Sequence, residues 1–315
     1  MSEKKIPVII DTDPGVDDVL AIILAAASDK LDIVGICPVD GNVKAEYTHR
    51  NALDLVEFLQ MDIPVAKGSF DQLVQRHGRY AVGAHGETGL GTVTLPRSNK
   101  EFHELAAWDF IYEKAKEYGG ELEIIAVGPL TNIARAIIVH DDLPKYVKRI
   151  TVMGGSIERG NVTPYAEFNF WVDAPAAKVV FQSGIPIVMA GLNVTMKTGI
   201  AFSFIEGLAK KNNSRIAHLF NEFVNSYSDA AINREGERGS VVHDAIAVAY
   251  VIKPDCCTTE EYNITIDTER YLHGEWARSI PSKEGEMNCT VITDIDMDFY
   301  RSLYENAVEH FKDLE

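Results

Sequence analysis

"VIIDTDPGVDDVLAIILAA", residues 8–26, places Asp11, Asp13, Asp17 and Asp18 within eight positions between two apolar runs. The first run is short and β-branched, the second has helical period, and Pro14 and Gly15 turn the chain between them. The stretch therefore reads as strand, turn, helix. Close carboxylates repel one another and resist burial, so such a cluster is either hydrated on a surface or neutralised by a cation. Asp11 and Asp13, two apart, fall on one side of an extended segment. Asp17 and Asp18 fall in the first helical turn, where the helix dipole favours negative charge. Capping accounts for one or two acids but not four. A hard divalent cation accounts for the set, with Asp13 and Asp18 as ligands, and oxygen donors without nearby Cys or His point to calcium or magnesium rather than zinc.

The same alternation continues along the chain. "IPVIID", "LDIVGICPV", "LEIIAVG", "RITVMGG" and "IPIVMAG" read as buried strands, with helices predicted at 17–28, 45–60, 104–118, 131–139 and 174–183. This predicts an α/β fold with an open, mostly parallel central sheet and helices on both faces, as one domain over residues 1–315. Ligands of such sheets bind at the carboxyl ends of the strands. The aspartates, "GN" at 41–42, "GPLTN" at 128–132 and "GG" at 154–155 all follow strands directly. The stretch from 197 to about 240 reads as polar and helical, ending in a mobile loop, "NREGERGS". "RHGRYAVGAHGETGLG" at 76–91 reads as a second, Gly-rich mobile loop. After residue 262 a hairpin pair and a closing helix, "DFYRSLYENAVEHFKDL", complete the chain.

With 315 residues and 46% hydrophobic content the chain can bury a sizeable core. A net charge of −17 without Lys/Arg runs argues against nucleic-acid or acidic-membrane surfaces and favours a small-molecule substrate. Cys37, Cys256, Cys257 and Cys289 lack metal-finger spacing and secreted-scaffold density, which suits a reducing compartment. The amino terminus lacks the pattern of an export signal, and no run approaches a membrane span, so a cytoplasmic location is expected.

Taken together and in order, "DTDPGVDD", "GN", "HGETGLG", "GPLTN", "MGG", "GNVTPYAEFNFWVDAPAA" at 160–177 and "HDAIAVAY" at 243–250 resemble the nucleoside hydrolases, most closely the inosine–uridine-preferring type. The resemblance covers about residues 6–255 and weakens beyond. It implies an open α/β fold, a tightly bound Ca2+ ion, and cleavage of the N-glycosidic bond of ribonucleosides, with a pyrimidine or mixed inosine/uridine preference. It also implies a homo-oligomer, dimer or tetramer.

By that resemblance Asp13 is the general base, taking a proton from water that the ion has made more acidic, and is itself a metal ligand. Asp18 chelates with both oxygens, Asp244 adds a carboxylate, and Val127 contributes its carbonyl, where many relatives carry threonine. The ribose 2′- and 3′-hydroxyls complete the coordination, and Asp17, Asn42 and Asn169 hydrogen-bond them. Asn161 and Glu167 hold the 5′-hydroxyl and Met153 packs beneath the sugar. His243 matches the proton donor to the departing base; the purine-specific branch carries tryptophan there, so His243 argues against that branch. His85 matches a histidine near the base; Tyr227, in the polar helical segment whose sequence "NSYSDAAINREGERGS" departs from the family pattern, is expected from its residue type to stack on the base. "GICPVDGN" departs from the pattern, and Asp40 is expected to add negative charge near the sugar.

Two other readings compete. A strand-end DxD also suits an aspartate-nucleophile phosphatase, in which "HDAIAVAY" and "AEFNFW" would have no role. A non-catalytic ribose or nucleoside sensor would need neither the base at Asp13 nor the acid at His243.

Overall fold

The computed structural model describes residues 4–74, 80–212, 214–227, 230–232, 238–269 and 277–314. Its strands are β1 (Ile6–Thr12), β2 (Leu31–Pro38), β3 (Leu122–Ala126), β4 (Val147–Met153), β5 (Ile187–Ala190), β6 (Ile200–Ala201), β7 (Ala230–Ile232), β8 (Arg238–Ser240), β9 (Cys257–Ile266), β10 (Ser279–Ser282) and β11 (Cys289–Ile295). The α-helices are α1 (Val16–Ala26), α2 (Ala45–Phe58), α3 (Val82–His85), α4 (Ala107–Glu117), α5 (Thr131–Val139), α6 (Phe168–Val172), α7 (Ala174–Phe181), α8 (Leu192–Thr195), α9 (Phe202–Lys211), α10 (Arg215–Ser226), α11 (Ala245–Ile252) and α12 (Met297–His310).

An eight-stranded sheet in the order β10-β9-β11-β5-β4-β3-β1-β2 carries the fold. From β2 to β11 the neighbours are parallel; β9 and β10 add an antiparallel edge. β1 lies between β2 and β3, so the chain leaves it in opposite directions along the sheet. That is a topological switch point, where the loops diverge and a crevice opens at the carboxyl ends.

Side-chain alternation along β1 separates two apolar layers. Val8 and Ile10 pack with α1, α2, α10, α11 and α12, while Ile9 packs with α4, α5 and α7. α11 is apolar on every side because it is almost wholly buried within the first layer. Among the described residues no helix is long and apolar enough to cross a membrane.

The five predicted strands and five predicted helices are all present, each helix ending within three residues of expectation. The hairpin of β9 and β10 and the closing helix α12 are present as well; residues 270–276 of the hairpin lie outside the described residues. One expectation is corrected. The segment after 197 is helical only in α9 and α10, because β6, β8 and β7 also form a small antiparallel sheet. Residues 233–237 of "NREGERGS" lie outside the described residues, and its last residues are β8. The strands are two or three residues long, too short for a hydrophobic period to mark them.

Candidate active site

The carboxyl end of β1 carries the acids to the switch point. Asp13, Asp17, Asp18 and Asp244 are all buried, Asp13 and Asp18 completely. Asp18 is the third residue of α1 and accepts from the Gly15 backbone N–H at the helix start (3.0 Å), so it does cap the helix. The same carboxylate also accepts from the Asp13 N–H (3.1 Å), the Asn42 amide (3.0 Å) and the Thr12 hydroxyl. Asp13 Oδ2 accepts from the Asn42 backbone N–H (2.6 Å), whereas its Oδ1 is buried without a hydrogen-bond partner among the described residues. Close packing against this carboxylate needs glycine: a Cβ on Gly128 would stand 2.8 Å from Asp13 Oδ1, and one on Gly41 would collide with Oδ2.

Asp11 and Asp13 part company in the structure. Asp11 accepts from the Asn132 amide (2.9 Å), which also bonds the Pro38 carbonyl, while Asn132 Oδ1 accepts from the Ser69 N–H. "GPLTN" thus ties together the loops after β1, β2 and β3, and Asp11 belongs to that tie. Burial pushes its carboxyl up to about 8. Asp40 does not reach the cleft as expected: its carboxylate turns into the loop before α2, accepting from the Ala45 N–H (2.8 Å) and the Gln72 amide (3.1 Å).

Asp13 and Asp18 lie behind Asn42, which bonds both and itself lines the cleft. The wall of the cleft, a cavity of about 290 Å³, includes Asp17, Asn42, His85, Val127, Met153, Asn161, Glu167, Asn169, Tyr227, His243 and Asp244, every other residue predicted for the site. Asn169 in α6 donates to the carbonyls of Val127 (2.9 Å) and Met153 (3.1 Å), locking the ends of β3 and β4 together. Glu167 precedes α6 in extended conformation and caps it, accepting from the N–H groups of Gly155, Asn169 and Phe170. Its carboxyl is raised by burial, an effect these hydrogen bonds oppose.

The residues described from "RHGRYAVGAHGETGLG" are folded: α3 carries His85, and the Asn51 amide bonds the carbonyls of Thr88 (2.8 Å) and Pro14 (3.0 Å). Residues 76–79 of that loop lie outside the described residues. His85 Nδ1 accepts from the Val16 N–H (3.1 Å), which places the proton of the neutral ring on Nε2. Although this Nδ1 is 3.8 Å from Asp17 Oδ1, an accepting nitrogen cannot donate to that acid. The ring tilts against Tyr227, centroids 5.1 Å apart.

His243 lies just before α11, and Asp244 occupies the helix N-cap position. His243 Nδ1 is 2.7 Å from the Thr195 hydroxyl at the end of α8. Behind this turn the Tyr300 hydroxyl of α12 donates to the Val242 carbonyl (3.2 Å). Sequence reasoning missed Thr195, Tyr300 and Asn132. Their role is to hold other residues, and the only hint for Thr195 was its place just beyond a strand end.

The acids can hold a metal ion. Asp17, Asp18 and Asp244 each offer an oxygen, all within 4.8 Å of one another. Burial pushes Asp13, Asp18 and Asp244 upward, and repulsion from neighbouring acids adds to the rise at Asp13 and Asp244. Oxygen-only donors, mutual repulsion and the unpartnered Asp13 Oδ1 fit a hard divalent cation.

A cleft lined by the carboxylates of Asp17, Glu167 and Asp244 at the switch point of an open, mostly parallel sheet defines an enzyme site for a small polar ligand. A family model described as inosine-uridine preferring nucleoside hydrolase matches residues 8–302, and the chain belongs to that family: it is a ribonucleoside hydrolase, an N-glycosidase. It is 36% identical over 312 residues to the pyrimidine-specific ribonucleoside hydrolase RihA of Salmonella paratyphi A, covering 97% of this chain and 99% of that one. Among solved structures, the purine-preferring ribonucleoside hydrolase from Gardnerella vaginalis matches with TM-score 0.88 and 28% identity, over 98% of this chain and 100% of the other. The plant nucleoside hydrolase PpNRh1 matches with TM-score 0.86 and 27% identity, over 97% and 99%. Family membership removes the phosphatase reading.

Proposed function

We propose that the chain is a calcium-dependent ribonucleoside hydrolase with a pyrimidine preference, releasing free base and ribose. The observation that carries this reading is the buried acid cluster at the cleft, where Asp17, Asp18 and Asp244 each bring an oxygen within 4.8 Å of the others and Asp13 Oδ1, beside Asp18, has no hydrogen-bond partner among the described residues. An acceptor kept dry and unpaired is costly unless a ligand completes it. Asp13, Asp18, Asp244 and the Val127 carbonyl would hold Ca2+, which when bound acidifies water and attracts the sugar diol.

The chain's own residues divide the remaining work. Asp17, Asn42 and Asn169 bond the 2′- and 3′-hydroxyls, while Asn161 and Glu167 bond the 5′-hydroxyl over Met153. Asp13 takes a proton from the attacking water as its oxygen bonds C1′. The C1′–N bond breaks with its electron pair passing to the base, and His243 gives that base a proton. His85 and Tyr227 form the base side of the cleft.

The pyrimidine preference is supported by the 36% identical relative, together with a histidine at position 243. A panel of uridine, cytidine and inosine with calcium present tests the reading. Free base and ribose should appear, with kcat/KM higher for both pyrimidines than for inosine. No turnover of any of the three rejects the activity, and a higher value for inosine rejects the preference.

A further inference from the structure

The hydrogen bond between Thr195 and His243 joins two segments distant in sequence. Thr195 is fully buried at the end of α8 and His243 is 5% exposed. A hydroxyl 2.7 Å from Nδ1 constrains the tilt of the imidazole, and it can accept from that nitrogen or donate to it. Nδ1 is directed at Thr195, and the His243 ring lines the cleft.

We infer that Thr195 is a positioning residue for the leaving-group step, a role that rests on His243 being the proton donor. The Thr195 oxygen accepts Nδ1–H. The proton on Nε2 leaves with the base as the C1′–N bond breaks, and Nδ1–H remains on Thr195 in the neutral product ring. The same acceptor therefore serves the histidine before and after transfer, so the ring need not turn during the reaction. The backbone is held as well: the Leu192 N–H bonds the Gly155 carbonyl, starting α8 from the "MGG" loop, and Tyr300 fixes Val242 beside His243. α8 thereby connects the sugar side of the cleft to the acid.

Thr195→Val keeps the side-chain shape and removes the acceptor, while Thr195→Ser restores a hydroxyl. On uridine, Thr195→Val should lower kcat roughly 10- to 100-fold with KM little changed. On p-nitrophenyl riboside, whose leaving group needs no proton, the loss should be within about threefold, and Thr195→Ser should recover most of the uridine rate. Equal losses on both substrates, or a serine variant as slow as the valine one, overturn the inference, as does an unchanged uridine rate. Should Thr195→Val not fold, the serine variant and Thr195→Ala give the same comparison. His243→Ala separates the two levels. If it fails to discriminate between the substrates, the acid assignment itself falls; if it discriminates and Thr195→Val does not, only the role of Thr195 falls.

Discussion

Two aspartates separated by one residue, Asp11 and Asp13, have different work at the residue scale. Both are fully buried at the end of β1 and both are pushed upward by burial. Each has one oxygen bonded and the other buried without a partner among the described residues, but Asp11 bonds the Asn132 amide, whereas Asp13 bonds the Asn42 N–H and stands beside Asp18 within the cluster of acids. Asp13→Asn should lower kcat on uridine by about 10²-fold or more, as loss of a general base implies. Asp11→Asn should leave kcat within about tenfold, since an amide there still accepts the Asn132 hydrogen bond. Steady-state rates of the two purified variants decide the matter. A near-normal rate for Asp13→Asn removes it from the base role, and an equal collapse of both variants assigns the effect to the loop framework. Sequence could not separate the pair, because an extended segment puts residues two apart on one side. The separation comes from Asn132, a partner 121 positions away from Asp11.

Elements were readable where their period was long and unreadable where a hydrogen bond or a short strand made them. β1 to β5 announced themselves as apolar runs because helices cover both faces of the sheet. The small sheet of β6, β8 and β7 had no such pattern, and the capping of α6 by Glu167 was hidden behind its expected ligand role. A comparable hidden joint lies in α2. His49 stacks on Phe70 at 4.7 Å and accepts from the Gly68 N–H (3.1 Å), linking α2 to the loop beyond β2. Burial lowers its pKa from the ordinary 6.5, so the folded state holds the ring neutral. Between that lowered value and 6.5 the unfolded chain binds more protons than the folded one, and stability rises with pH. The contribution is full above pH 6.5 and fades as pH falls through the window. His49→Gln should cost roughly 1–3 kcal/mol near pH 7.5 and distinctly less near pH 5, read from urea melts of both proteins. A difference that does not change with pH would show that the ring's protonation plays no part.

At the scale of the whole molecule, the fold assembles acids that it cannot itself neutralise. Asp13, Asp17 and Asp18 arrive on β1 and α1, and Asp244 arrives on α11 from the far end of the chain, with α1 and α11 packed in one apolar layer. The layer that stabilises the domain therefore forces like charges together, and folding works against their repulsion until a cation joins them. An ion bound only by the folded state adds RT ln(1 + [L]/Kd), about 2.7 kcal/mol at one hundred times Kd. For a chain of this size that is a rise of a few degrees in Tm. Protein stripped with a chelator should melt lower and regain the difference on adding calcium. Magnesium should restore less, since its near-octahedral demand suits a fixed carboxylate cluster poorly. Asp244→Asn should melt at least as high as the stripped wild type without calcium, because one repelling charge is gone, yet gain little when calcium is added. The two opposite signs in one variant separate ion binding from general packing damage, which would lower Tm under both conditions. A wild-type Tm indifferent to saturating calcium would leave the acids without their counterion and the calcium assignment without support.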